Sequence, residues 1–372
     1  MDVFVLDTNY NHIGVVDSVE SIIWTDRYQA YGDFEFYTPA NISLLSLLQE
    51  DYYLKIKESD RTMIIESFEI KSDVERGAKF VYRGRSLESI LTRRIVMHQT
   101  QINANVQTAV ADLVDRAFIN PEDSAGQQID DPYHRTIPNM HWSSNADPGI
   151  SAIPNVVEQF FGEELYDAIK DLAERTGIGF KIILDSANQF ETTVYLGRDR
   201  SYAQTTNPFV IFSPTYDNLI NSSYFRSKQN YKSLAYIFSY LYDTGALHIN
   251  ISGLGLPDWL DPTGLDHREK YLDLTSLPRH IQGTTLEIPI NDYNAQVVAA
   301  AKRIIFDEHK VFEQFEGLAD TTVGFKYGVD FFLGDIVQME NEFGMTGRAR
   351  ITEITFAENP SGNFVYPTFE ML

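Results

Sequence analysis

The sequence contains no cysteine, which removes disulfide staples and thiol catalysis and fits a chain folded in a reducing cytoplasm. No apolar run approaches the ~20 residues that cross a bilayer, and Met1-Asp2-Val3-Phe4-Val5-Leu6-Asp7 lacks the basic n-region of an export signal. Neither export by that route nor a membrane-spanning segment is expected. Basic residues are scarce: 30 Lys and Arg stand against 53 Asp and Glu, a formal charge of −23. That balance argues against a surface that grips nucleic-acid phosphates through counterion release. What is abundant is apolar residues, 43% of 372, enough to fill the cores of two to four domains by packing alone.

The pattern along the chain predicts an α+β, mainly β protein. In residues 1–100, Val3-Phe4-Val5-Leu6 runs into Asp7-Thr8-Asn9-Tyr10-Asn11, whose Asx-type side chains favour a tight turn back into Ile13-Gly14-Val15-Val16. Further strands are expected at 19–28, 33–38, 52–58, 62–72 and 78–84, and so many short strands point to a barrel. Two short helices interrupt it, near 41–49 and near 86–94, the second with Ser86 as candidate cap. Residues 101–205 change character. Val106, Val110, Leu113, Val114 and Phe118 form a helical stripe that Asn103 or Asn105 could cap. The Pro-, Asp-, Gly- and Asn-rich segment 120–150 reads as a long surface loop. A helix over 162–176 follows, closed by Gly177, and then a hairpin of strands at 178–184 and 190–197. Strands near 209–212, 219–228 and 232–240 begin a second barrel, and 253–277 is an acidic, turn-rich insert. A helix over 292–308 with Asp292 as candidate cap leads to closing strands at 310–318, 331–339, 348–357 and 363–368. The domain boundaries are therefore 1–100, 101–205, a discontinuous 206–235 with 310–372, and an inserted 236–309.

Chemistry-bearing constellations are weak. Gly84-Arg85-Ser86-Leu87-Glu88 lacks the second glycine of a nucleophile elbow, so Ser86 reads as a helix cap. Gly177-Ile178-Gly179 and Gly253-Leu254-Gly255 are too short for phosphate or dinucleotide loops. His134 and His141 lie near Asp130 and Asp131, residue types that could hold a metal, but the loop composition favours a solvated loop. Asp258, Asp261 and Asp266 bunch around Gly264 without the alternating ligands and distal glutamate of a calcium loop. No catalytic, cofactor-binding or metal residue is assigned on this basis, and no cofactor. A glycosidase needs only two carboxyls roughly 5–9 Å apart, so abundance of acids decides nothing. The 21 Tyr and 24 Phe suit sheet cores and interfaces better than a sugar-binding face.

Several blocks occur in a fixed order: Ser21-Ile22-Ile23-Trp24-Thr25-Asp26-Arg27-Tyr28, Gly32-Asp33-Phe34-Glu35-Phe36, Leu44-Leu45-Ser46-Leu47-Leu48 and Met63-Ile64-Ile65-Glu66-Ser67-Phe68-Glu69-Ile70. Gly84-Arg85-Ser86-Leu87-Glu88-Ser89-Ile90-Leu91-Thr92-Arg93-Arg94-Ile95-Val96 closes the N-terminal group. Near the C-terminus come Phe325-Lys326-Tyr327-Gly328-Val329-Asp330-Phe331-Phe332-Leu333-Gly334-Asp335-Ile336-Val337 and Arg350-Ile351-Thr352-Glu353-Ile354. Together, over nearly the whole chain, they resemble the tail hub, or tail-associated, proteins at the baseplate of long non-contractile-tailed bacteriophages (siphophages). The resemblance implies two related β-barrel tube domains, two decorating α/β domains and a homotrimer. Such a trimer would sit below the hexameric ring of distal tail protein at the virion tail tip and be made in the bacterial host cytoplasm. Implied partners are that ring, the tape-measure protein and receptor-binding or other baseplate proteins, with DNA only in passage during ejection and a share in host attachment. Many relatives carry a C-terminal lytic or fibre extension, and the end at Leu372 weakens the case for an enzyme. Two other classes stay open: a cell-wall (peptidoglycan) hydrolase at the tail tip, and a host-surface carbohydrate-binding module.

Overall fold

The computed structural model describes residues 1–17, 19–73, 77–121, 134–239, 247–250, 263–281, 284–319 and 324–372. The N-terminal part comprises β1 (Val3–Leu6), β2 (His12–Val16), β3 (Ser21–Arg27), β4 (Asp33–Pro39), α1 (Ile42–Leu47), β5 (Tyr53–Lys55), β6 (Met63–Asp73) and β7 (Gly77–Ser86). A short 3-10 stretch, Leu87–Arg93, leads out of it. Then come β8 (Thr100–Ala104), α2 (Val106–Val114), β9 (Met140–Trp142), α3 (Pro148–Ser151), β10 (Val156–Phe160), α4 (Leu165–Thr176), β11 (Gly179–Leu184) and β12 (Phe190–Tyr195). The remainder is β13 (Ile211–Phe212), β14 (Leu219–Ser227), β15 (Leu234–Phe238), β16 (Leu247–Asn250), β17 (Glu269–Asp273), α5 (Ile290–His309), β18 (Phe312–Ala319), β19 (Ile336–Glu340), β20 (Thr346–Asn359) and β21 (Gly362–Met371).

Local sequence explains most of these elements. In β4, Phe34, Phe36 and Thr38 are buried while their neighbours are not, the period-two pattern of a half-buried strand. The expected β1–β2 hairpin forms around Asp7, whose Oδ1 accepts from the amides of Asn9 (2.8 Å) and Asn11 (2.9 Å). Asn105 caps α2 by accepting from Gln107 N at 3.1 Å, and Val106, Ala109, Val110, Leu113 and Val114 make its buried face. In α4, Leu165, Ala168, Ile169, Leu172 and Ala173 are buried, and Gly177 ends the helix at φ +73°, the left-handed cap a glycine adopts freely.

Eleven strands form one sheet in the order β13-β19-β20-β3-β4-β7-β6-β5-β1-β2, with β21 alongside β20. β20 is the joint. β21 pairs with it along residues 349–359, and its other edge takes β19 at 346–350 and then β3 at 353–358. N-terminal and C-terminal strands thus lie in one sheet over one core, where Trp24, Phe36 and Tyr82 share a cluster with Phe212, Phe331, Val337 and Phe356. Each such side chain, fully buried, contributes about 1.5–3 kcal/mol. A second core joins α2, α4 and the β11–β12 hairpin to Leu6, Ile64, Leu87 and Leu91 of the N-terminal part. A third packs α5, through Tyr293, Val297 and Ala301, against β15 and β17.

Several expectations are corrected. Segment 120–150 is not one loop: β9 pairs parallel with β12, and α3 begins at Pro148 with Asp147 as its cap; 122–133 lie outside the described residues. β8 and β10 pair with each other where no strands were expected. The strand near 232–240 does not join the strands it was expected to, because β15 pairs with β16 and β17 in a separate three-stranded sheet. β14 pairs with β18 in a separate two-stranded ladder. Asp292 sits in the first turn of α5, and the cap position is Pro289.

Candidate functional site

Among the described residues, those weighed from sequence do not assemble a catalytic centre. Ser86 occupies the cap position before Leu87 but makes no capping bond; its buried Oγ accepts from Gly32 N at 2.7 Å while its own amide donates to Gly32 O at 2.9 Å. That hydroxyl ties β7 to the β3–β4 connection. Gly177-Ile178-Gly179 follows a helix and enters a strand, the reverse of a phosphate loop. His134 is exposed at φ +52°. His141 instead lies beside Asp185 and Glu191, two residues more than 40 positions further along the chain. Asp266 is exposed in a short turn with Gly264. Asp130, Asp131, Gly253-Leu254-Gly255, Asp258 and Asp261 lie outside the described residues.

A largely buried polar network joins the N-terminal sheet to the β11–β12 unit. Arg61, 2% exposed, pairs with Glu88, 1% exposed, and donates to the Tyr195 hydroxyl at 2.9 Å. Glu88 Oε1 also accepts from Ile182 N at 3.0 Å. Asp60 pairs with Lys181 of β11. Asp26 accepts from Trp24 Nε1 (3.0 Å) and Ser59 Oγ (2.6 Å), and burial pushes its carboxyl up to about 6 against the pull of Arg61. The Tyr28 hydroxyl donates to Gly177 O at 3.0 Å and accepts from Gly197 N at 3.2 Å. On the C-terminal side, Asp335 takes Arg200 Nε at 2.6 Å and Arg198 N at 2.7 Å. A raised carboxyl can mark an acid catalyst, but Asp26 is 2% exposed and committed to two donors, so no substrate reaches it. These charges fasten three parts of the chain together. Sequence gave no sign of them, because the partners stand far apart along the chain and only the pairing of strands brings them together.

The surface offers contact more readily than chemistry. An open cleft of about 530 Å³ is lined by Val19, Glu20, Tyr37, Lys79, Glu358 and Asn359. Its lysine is already paired with Glu20. The sheet ends in β2 and β13, and among the described residues no pairing joins those two strands. Ile13 and Val15 are exposed on β2, and Phe343 (82% exposed) and Met345 lie at the β19–β20 turn. Unpaired edges and exposed apolar side chains are features that association covers.

No curated protein matches the sequence. The fold is shared with solved phage tail proteins. The prophage tail protein gp18 from Listeria monocytogenes EGD-e superposes with a TM-score of 0.55 at 12% identity, over 99% of this chain and 94% of that one. The 43 kDa tail protein of prophage MuSo2 from Shewanella oneidensis gives 0.55 at 12%, over 100% and 98%. The tail protein from Neisseria meningitidis MC58 gives 0.53 at 14%, over 99% and 95%. The model of one family spans residues 2–369, and on that match the chain belongs to the Siphovirus ReqiPepy6 Gp37-like protein family, which makes it a structural component of a bacteriophage tail.

Proposed function

We propose that this tail protein is a hub subunit: a homotrimer that caps the tail tube beneath the distal tail protein ring, at the tip of the virion, and through which DNA leaves. The observation that carries the reading is the continuous eleven-stranded sheet, in which β20 takes strands from both ends of the chain. In the hub reading, 1–100 and the discontinuous 206–235 with 310–372 are two tube domains of each subunit, and 101–205 and 236–309 decorate them. Three subunits then present six similar faces to a hexameric ring, and a closed cyclic arrangement repeats each contact around one axis. The unpaired ends β2 and β13 and the exposed Phe343 are surfaces such contacts would cover.

The charge fits a conduit. Three chains at −23 each carry −69, and a wall short of Lys and Arg does not hold passing phosphates. The role is not enzymatic in this reading; Ser86, the residue nearest to a nucleophile motif, spends its hydroxyl on Gly32. Partners of the hub are the distal tail ring, the end of the tape-measure protein and the receptor-binding or baseplate proteins around the rim. The test is co-assembly: the purified chain mixed with the distal tail protein of its own phage should form a complex of three and six copies. Failure of the two to associate, or a complex of another stoichiometry, contradicts the proposal.

A further inference from the structure

We propose that His141, Asp185 and Glu191 form a binding site for a divalent transition-metal ion, one per chain. One ligand atom from each, an imidazole nitrogen and two carboxylate oxygens, lies within 4.8 Å of the others. The topology makes the meeting. β9 runs parallel to β12 with His141 opposite Glu191, and Asp185 opens the turn that joins β11 to β12.

Each residue is prepared for the role. Asp185 Oδ1 accepts from the amides of Ala187 (2.7 Å) and Gln189 (2.9 Å), which fixes the carboxylate and leaves its second oxygen uncommitted. The Nδ1 of His141 is out of water and has no hydrogen-bond partner among the described residues, an unmet polar atom that a bound ion would satisfy. One imidazole with two carboxylates suits Zn²⁺, Mn²⁺ or Fe²⁺ better than Ca²⁺ or Mg²⁺, which favour oxygen alone. The opposing charge in the neighbourhood is Lys55, whose ammonium donates to Leu184 O at 3.1 Å. A bound ion would staple the three-residue strand β9 to the hairpin, a link that three ladder positions make weakly on their own.

The experiment is titration of the full chain with ZnCl₂ and, separately, MnCl₂ by calorimetry, with thermal melting and the visible absorption of added Co²⁺ as further readouts. We expect one ion per chain, a raised melting temperature and a Co²⁺ spectrum of nitrogen-and-oxygen ligation. Asp185→Asn keeps an acceptor for the turn, and Glu191→Gln keeps the shape of its side chain. Each should weaken binding by more than about tenfold, since even the outer partners of metal ligands are worth that much, while melting of the metal-free protein stays close to that of the parent. His141→Ala should abolish binding. Absence of binding by the parent chain, or equal binding by Asp185→Asn and Glu191→Gln, overturns the site.

Discussion

Trp24 stands directly opposite Phe356 where β3 pairs with β20, although most of the chain separates them. Trp24 is wholly buried, its ring 5.9 Å from that of Phe34. Since this core serves both ends of the chain, damage on one side should propagate to the other. Trp24→Ala should cost about 3–5 kcal/mol, read as a shift of the urea midpoint, and should lower the cooperativity of unfolding in the C-terminal strands. A near-neutral variant would mean that the ring is not in the core.

Arg61 and Glu88 test the fastening network. Arg61→Ala leaves the Glu88 carboxylate buried and unpaired, which should cost about 3–5 kcal/mol. In Arg61→Met with Glu88→Gln the second residue can still accept from Ile182 N, and no charge is stranded, so most of that loss should return. Equilibrium unfolding of the two variants decides it; equal losses would show that the pair is not the cause.

Asp26 sets a pH dependence whose sign follows from its raised carboxyl. The folded protein holds the proton up to about pH 6 and the unfolded chain only to about 3.8. The contribution is therefore present in full below about pH 4 and lost as pH rises through 6, on the order of 3 kcal/mol. Asp26→Asn should flatten that part of the stability profile relative to the parent and be the more stable protein at pH 7–8. Parallel profiles would contradict the assignment.

Gly84 lies where β7 passes the irregularity between Ile65 and Ser67 of β6, and a Cβ there would stand 1.7 Å from Ile64 O. Backbone has to move to admit it, so Gly84→Ala should destabilise by about 1–3 kcal/mol or more. A thermal melt unchanged from the parent would show that the strand can yield.

Much of the fold was legible because it is local. The alternation Phe34–Phe36 and the Gly177 stop act within a few residues, and the sequence narrows the cap of α2 to Asn103 or Asn105, of which the structure uses Asn105. What escaped depends on partners far along the chain. β8 and β10 are five-residue strands stabilised by each other across the whole of α2 and α3. β15 reads as a strand but chooses β17, so sequence order misplaced it. The hydroxyl of Ser86 goes to Gly32 because β7 brings it there, not because of its position before a turn. His141 was recognisable as a ligand type, but its neighbours Asp185 and Glu191 come from a later hairpin that only strand pairing brings to it.

The central claim, a trimeric hub, is tested most directly by the native mass of the purified chain over a range of concentrations. The account expects three copies of the 42.5 kDa chain, about 128 kDa, persisting on dilution. A species that stays monomeric at high concentration and remains so when the distal tail protein is added would contradict it.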